Sequence, residues 1–585
     1  MAKTNDRDRF FDGSLDASVP KQLLSEGTIA RVINGRFIEG AITNGFGFDK
    51  LEVAYAQGEK ARPSAQKNGF VSTSTFQNLL DFGDVQVTAP LSNLNGKFIV
   101  MVISGLMFQI DLDTCLATEI TPRDSFLPGG SCVHPLSYLD NDGGTYGVGG
   151  YLVVFNYPNQ NIFVTVDGAR LARPVNPFWE TPPARMGATA GSRAFVISGK
   201  NLMYASDPLG GANSLAPLTF QETLDPGDPT AVPPEPAGDF YQQVFNIGSA
   251  LDVEEVTAIC RLPRYFGASQ EFLAQSLLVS TTRHKFTIAA GVPRSQWDSI
   301  SSQFISFAGS SEGVAGPLAC TNIGDLIVYI STGGRIKTLG QDTEINTGLT
   351  ETFLDDPLGQ YLCPCEANLY YRDWYETLDH SRSIIKFSGD RLYATVYPID
   401  VPAINRFGDD VYSPSHRALA IGSLDSTTRL GPAATIAWEG FYDWLQPVGL
   451  VTIEDDLYVV SKNEFGHIEY YKQNLTKIDD HVTTVYTRGY FSSEPGSTQS
   501  MLELAVYFRR LAGPVNMKIS YLINDEWVCA AECMVDEKLK RFSFRNGKCK
   551  SYAGSVPLKV DIDHKGCRFE LAAVYVEGEY GRDFN

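Results

Sequence analysis

The chain lacks an apolar run able to cross a bilayer as a helix. Its longest, Phe98 to Phe108, is broken by Ser104 and Gly105 and falls short of the roughly 20 residues a span needs. No apolar stretch follows the basic residues of the opening MAKTNDRDRF, so no secretory signal is read there and no membrane insertion is expected. Cysteine is sparse, with ten in 585 residues, scattered apart from Cys363-Pro364-Cys365 and Cys529/Cys533. Without a signal sequence they read as reduced thiols. No two of the seven histidines, His134, His284, His380, His416, His467, His481 and His564, sit at ligand spacing. HExxH, P-loop and Gly-x-Ser-x-Gly patterns are all missing. No segment keeps a 3.6-residue period long enough for a helical bundle or coiled coil. Basic charge is also short: 48 Lys and Arg against 68 Asp and Glu leave −20. Such a chain repels phosphate backbones, which disfavours a general nucleic-acid binder.

What is present is enough apolar material for a real core, at 43% hydrophobic and 20% charged residues. The length predicts about four domains, or one large repetitive one with additions. The 53 glycines, 31 prolines, 27 tyrosines and 34 phenylalanines describe many turns and many aromatic strands. One pattern recurs: a run of β-formers, a tight turn, a second run. It appears at 97–112, 151–171, 193–207, 277–291, 325–340, 383–397 and 456–471. These seven hairpins resemble propeller blades, although periodicity alone leaves an open sandwich as the alternative. Two short helices are expected, over 73–80 and 349–362. Residues 207–250, dense in Pro, Gly and Asp, read as a long loop or insertion between two blades. From Val482 the strands are spaced without blade-like hairpins, as in a separate sandwich. The expected fold is all-β: an arm and closing strand over 1–90, a β-propeller over 91–481, and a β-sandwich-like domain over 482–585.

Few residues suggest chemistry. A zinc site at Cys363 and Cys365 needs two further ligands, and the nearest, His380, supplies one at most. The glycines of 141–155 precede a strand rather than follow one, unlike a dinucleotide fingerprint. Asp140-Asn141-Asp142-Gly143 starts like a calcium loop but lacks the closing Glu. Two clusters mix aromatics with carboxylates, Tyr370 to Glu376 (with Arg372, Asp373 and Trp374) and Trp438 to Trp444 (with Glu439 and Asp443). Rings stack on sugars and paired carboxylates hydrolyse glycosides, so a carbohydrate-active propeller is one reading. Rings packed between blades are the other. Finally Lys538, Lys540, Arg541, Arg545, Lys548 and Lys550 surround Phe542, Phe544 and an Asn546-Gly547 turn. This reads as a lysine-guarded exposed hairpin, or as a contact for an acidic partner.

The order of segments carries a further signal. Gly13, Pro20, Leu23, Asn34, Gly40, Gly45 and Gly47, within residues 10–48, resemble the opening of tail proteins from short-tailed bacteriophages. YASDP (204–208), FNIGSALDVEEVTAI (245–259), LLVSTTRHKFTIAAG (277–291), SSEGVAGPLACTNIGDLIVYISTGGRIKTLG (310–340) and DLYVVSKNEFGHIEYY (456–471) continue the same order. The family is that of the tail nozzle, also called tail tubular protein B or tail stabilisation protein. The resemblance implies a propeller core, a homo-hexameric ring below the portal and adaptor, and a structural virion protein with no active site, cofactor or metal. It further implies contacts with the portal-adaptor protein and with tail fibre or needle and spike proteins. Genome DNA is then retained and ejected through the ring without specific binding. The location implied is the virion tail, after synthesis in the host cytoplasm. A tail-associated carbohydrate-binding or polysaccharide-degrading propeller is the alternative.

A propeller must also close. The alternating segment Ile29–Phe37 is expected to pair with the sheet containing Leu457–Val460, which would leave residues 1–20 as a free arm.

Overall fold

The computed structural model describes residues 2–7, 29–56, 72–93, 96–122, 124–129, 135–139, 152–172, 181–190, 193–206, 245–247, 254–262 and 276–289. It further describes 305–309, 312–323, 326–341, 349–353, 380–397, 402–404, 410–412, 418–424, 436–490, 498–523, 526–544, 549–551 and 556–581. Among them no helix is long and apolar enough to cross a membrane.

Each of the seven sequence hairpins is an antiparallel pair in a different sheet. Their turns follow from local chemistry. Between Gly96–Ile103 and Leu106–Asp111, Ser104 and Gly105 both take positive φ, 45° and 85°, the combination a two-residue hairpin of the right twist requires. The seven sheets start with the strands Val85–Asn93, Ser137–Tyr138, Met186–Ala190, Val256–Arg261, Cys320–Ile323, Ile385–Ser388 and Gln446–Ile453. Each of these strands touches the next, and the last touches the first, so the ring is closed. The fold is an all-β propeller of seven blades.

Apolar residues fill the gaps between blades. Val87, Val100, Leu152 and Ile162 join blades one and two. Phe195, Ile197, Leu277 and Val279 join three and four. Blade seven meets blade one through Val451, Val460, Ile99 and Phe108. The helix Thr73–Phe82 lies over that last joint and buries Phe76 and Leu80 there. Ser72 caps it, accepting the Thr75 N–H at 3.1 Å.

Over its described residues, 349–353, the second expected helix is a strand, and 354–362 lie outside the described residues. Residues Leu349–Phe353 are the outer strand of blade five, where pairing with Ile336–Gln341 overrides local propensity. The Pro/Gly-rich insertion also moves. Leu202–Ala205 pairs directly with Phe245–Asn246, so the insertion interrupts blade three between its third and fourth strands. Its residues 207–244 lie outside the described ones.

Ring closure uses an N-terminal strand, but a different one. Phe46–Leu51 pairs with Ile468–Ile478 and completes blade seven. Ile29–Ile33 instead pairs antiparallel with Thr483–Tyr490 and meets blade six at one parallel position, Ile33 opposite Phe441. It thereby joins blade six to Thr483–Tyr490, Val556–Asp563, Val515–Ile523 and Glu526–Val535 in one nine-stranded sheet. A second sheet is built on Phe569–Gly581 and Thr498–Leu511 and includes Gly35–Ile38 and Ala41–Asn44. The two sheets share one core, with Val485, Ile519, Val560, Leu504, Phe508 and Leu571 among its members. The sandwich therefore exists, but it is made from both ends of the chain. The expected boundaries at 90 and 482 do not separate it from residues 29–44.

The first residues are not all free, because Ala2–Arg7 pairs with Phe569–Gly581. The basic segment is not a hairpin either. Leu539–Ser543 and Cys549–Ser551 both pair antiparallel with Thr498–Leu511 in one continuing direction, as one interrupted edge strand. Two strand pieces running the same way along one neighbour cannot also face each other across a turn.

Candidate functional site

The hub is where a propeller ring would hold a ligand, because the first strands of all blades converge there. Here it is obstructed by the segment 312–319, which leads into blade five. Leu318 packs against the joint between blades one and two and also against the joint between blades six and seven. One side chain thus reaches across the axis. It leaves separate cavities, one of about 300 Å³ bordered by Asp84, Gln86 and Arg382, another of about 290 Å³ bordered by Arg185 and Glu255. Pro317 lines both.

The obstruction is held by tight backbone approach. A Cβ on Gly313 would lie 1.6 Å from the Thr281 carbonyl oxygen, and one on Gly316 would lie 2.0 Å from that of Ser381. Its first residue is held by charge. Lys337 Nζ lies 2.9 Å from a Glu312 carboxylate oxygen, and buried Lys285 donates to the Glu312 carbonyl. The Lys285 ammonium also sits 4.6 Å above the Tyr329 ring. Burial works against the Glu312 charge, but hydrogen bonds from Lys337 and Ser331 and the two ammonium charges hold its carboxyl below the usual range.

The other hub carboxylates are held in the same way. Asp84 receives Arg382 at 3.1 and 3.2 Å through both oxygens. Glu255 pairs with Arg185, which also donates to the carbonyls of Lys200 and Val256 at 3.0 and 2.7 Å. Arg185–Glu255 links the entries to adjacent blades three and four, and Arg382–Asp84 links those to blades six and one, which are not neighbours in the ring. Each of the three carboxylates is paired with a cation.

Of the aromatic–carboxylate clusters, Tyr370 to Glu376 lies outside the described residues, as do Cys363, Cys365, His134, His416 and Asp140 to Gly143. The second cluster turns inward. Trp438, Phe441 and Tyr442 are buried in the core. Glu439 is buried between Arg391 and Arg36, at 3.4 and 3.8 Å. Both guanidinium groups lie over the Phe46 ring, at 4.8 and 3.7 Å. Burial pushes the Glu439 carboxyl up, against the pull of the two arginines. A sugar cannot reach it. Of the basic segment, Arg541 pairs with Glu503 at 3.3 Å, and residues 545–548 are not described.

Sequence reasoning missed a second cluster, where the chain leaves blade seven for the sandwich. Asp479, Asp480 and His481 bring their ligand atoms within 4.8 Å of one another. Buried Asp479 accepts from Trp444 Nε1 at 2.9 Å and lies 2.6 Å from His481 Nδ1. The Trp444 and His481 rings stack at 4.2 Å and 11°. Burial opposes a charge on His481, but the hydrogen bond and charge of Asp479, helped by Asp480 and Asp443, raise its pKa above the ordinary value. The close contacts are internal, and they tie a linker to a blade. The adjacent Asp-Asp-His was visible in the sequence, but its partner Trp444 lies 35 residues away.

No family model and no curated protein matches this chain. Among solved structures it is similar to the β-propeller domain of Myceliophteria thermophila Cps50 (Swd1), at 12% identity and a TM-score of 0.33, covering 66% of this chain and 99% of that one. It is likewise similar to the WD40 β-propeller domain of Doa1, at 10% identity and a TM-score of 0.34, covering 74% and 98%. At such scores the seven-bladed ring is established by its own sheet order and inner-strand contacts.

Proposed function

We propose that the chain is a structural subunit of the tail nozzle of a short-tailed bacteriophage, one wall segment of a six-membered ring that retains and ejects DNA. The observation that carries this reading is the obstructed hub. Leu318 crosses the axis and ion pairs bridge loops of different blades, so the propeller has no passage of its own for a duplex. It acts as a stiff block, and any conduit forms between copies. The nozzle-like order of segments over 10–471 supports the same reading. So does the charge: six copies at −20 carry about −120, and an acidic lumen avoids the counterion-release attraction that would stall a sliding duplex.

In this role the portal-adaptor protein lies above the ring, fibre or needle proteins lie beside and below it, and no catalytic step is assigned. Electron microscopy of purified particles carrying an epitope tag on this chain tests the proposal. The expected result is six-fold density below the portal. Another symmetry for this subunit, or its absence from tails, would overturn it. Hydrolysis of host polysaccharide by the purified chain in a reducing-sugar assay would also count against it.

A further inference from the structure

A pocket of about 260 Å³ lies at the seam between blade seven and the sandwich. Its walls carry Arg36, Lys477, Arg510 and Arg568, with Glu570 as the carboxylate among them and Phe46 at the base of Arg36. Four cations to one acid is the reverse of the chain as a whole, where acids outnumber bases 68 to 48. Two of the cations are already engaged. Arg36 faces Glu439 and donates from Nε to the Asn44 carbonyl at 3.2 Å, and Lys477 Nζ lies 2.8 Å from Asp49. Arg510 and Arg568 are exposed and have no carboxylate partner among the described residues.

Glu570, the cross-strand neighbour of Arg510, is the one carboxylate lining a concavity shared by three guanidinium groups, so the pocket keeps an excess of positive charge. A guanidinium presents a planar fork of donors that matches phosphate and carboxylate oxygens. The pocket is also sterically fixed. The strand Ile468–Ile478 shifts register between Asn474 and Ile478 to form one wall, and the Asn474 side chain caps the Thr476 and Lys477 amides at 3.1 and 3.2 Å. We propose that this seam pocket binds an oxyanion, a phosphate or carboxylate group, held chiefly by Arg510 and Arg568. The proposal is independent of the nozzle reading.

Titration calorimetry on the full chain at low salt, with inorganic phosphate and with glutarate as probes, tests it. At least one probe is expected to bind, and R510Q/R568Q is expected to weaken binding tenfold or more. Both arginines are exposed, so that double variant should keep the wild-type melting point in chloride. R509Q is the control, since Arg509 contacts the Glu39 carbonyl and does not line the pocket. It should bind as the wild type does. Preference for phosphate would identify a phosphate ligand, and preference for glutarate a carboxylate one. No binding of either probe, or equal binding by the double variant, would overturn the proposal.

Discussion

Adding one methyl group at Gly316 should measurably loosen the hub. The new Cβ would sit 2.0 Å from the Ser381 carbonyl oxygen, 2.7 Å from its carbon and 3.0 Å from its Cα. Ordinary contact begins at roughly 3.5 Å, so about 1.5 Å must open between two backbone segments. Neither is a flexible side chain that can swing away. One segment carries Pro317 and Leu318, which fill the axis, and the other leads to Arg382, whose ion pair with Asp84 borders the cavity. Overpacking of this kind costs about 1–3 kcal/mol, and a backbone-to-backbone clash belongs at the upper end. The control is Gly129→Ala, where the added methyl meets nothing within 4 Å, so its effect should be within about 0.5 kcal/mol of zero. Guanidinium unfolding followed by tryptophan fluorescence reads the difference, provided unfolding is reversible, and protease half-life reads it otherwise. Equal midpoints for Gly316→Ala and wild type, or equal losses for both variants, would refute the claim that segment 312–319 is clamped by backbone approach.

Three further outcomes follow from the seams. Because the pKa of His481 is raised in the folded chain, its ion pair with Asp479 contributes fully below the ordinary histidine value of 6.5 and is lost as pH rises through the raised folded value. His481→Asn should remove that component from a stability–pH profile, and an unchanged profile would contradict it. Glu439→Ala leaves two arginines facing each other over Phe46 and should cost about 3 kcal/mol in the same unfolding assay, whereas a loss under about 0.5 kcal/mol would show the pair to be idle. Deleting residues 1–8 removes one edge strand and should leave a cooperative melt, but deleting 1–52 removes the outer strand of blade seven and should abolish folding. A cooperative melt for the longer deletion would mean the ring closes by other means.

The blades were legible because their signal is local. Alternation, a glycine-bearing turn and alternation again specify a hairpin within about fifteen residues, and all seven such stretches became separate sheets. The closing strand was not legible, because the choice is made by partners more than 400 residues away. Ile29–Ile33 and Phe46–Leu51 both contain β-formers at alternating positions. What separates them is where the large side chains fit. Phe48 lies edge-on to Tyr442 and Trp444, at 5.7 and 5.9 Å, in the joint between blades six and seven, while Ile29 and Val32 fall into the sandwich core. Gly313 and Gly316 were visible as a glycine-rich stretch, but the carbonyls they must approach, of Thr281 and Ser381, belong to other blades.

Asn34 shows how a single residue settles the domain question. It was noted only for its place in a resemblance. In the fold its φ is +53°, a conformation asparagine tolerates, and it sits between two sheets. Its N–H donates to the Phe441 carbonyl at 2.7 Å, and its side-chain oxygen accepts the Asp443 amide at 3.2 Å, both in or beside blade six. Its own carbonyl accepts from Thr483 Oγ1 at 3.0 Å, on the sandwich side. Residues 29–51 thus supply strands to the nine-stranded sheet, the second sandwich sheet and blade seven in turn. A boundary placed where the hairpin pattern ends, near Val482, marks a change of motif. It does not mark a change of physical unit, because removing either the first fifty residues or the last hundred takes strands away from the same shared core.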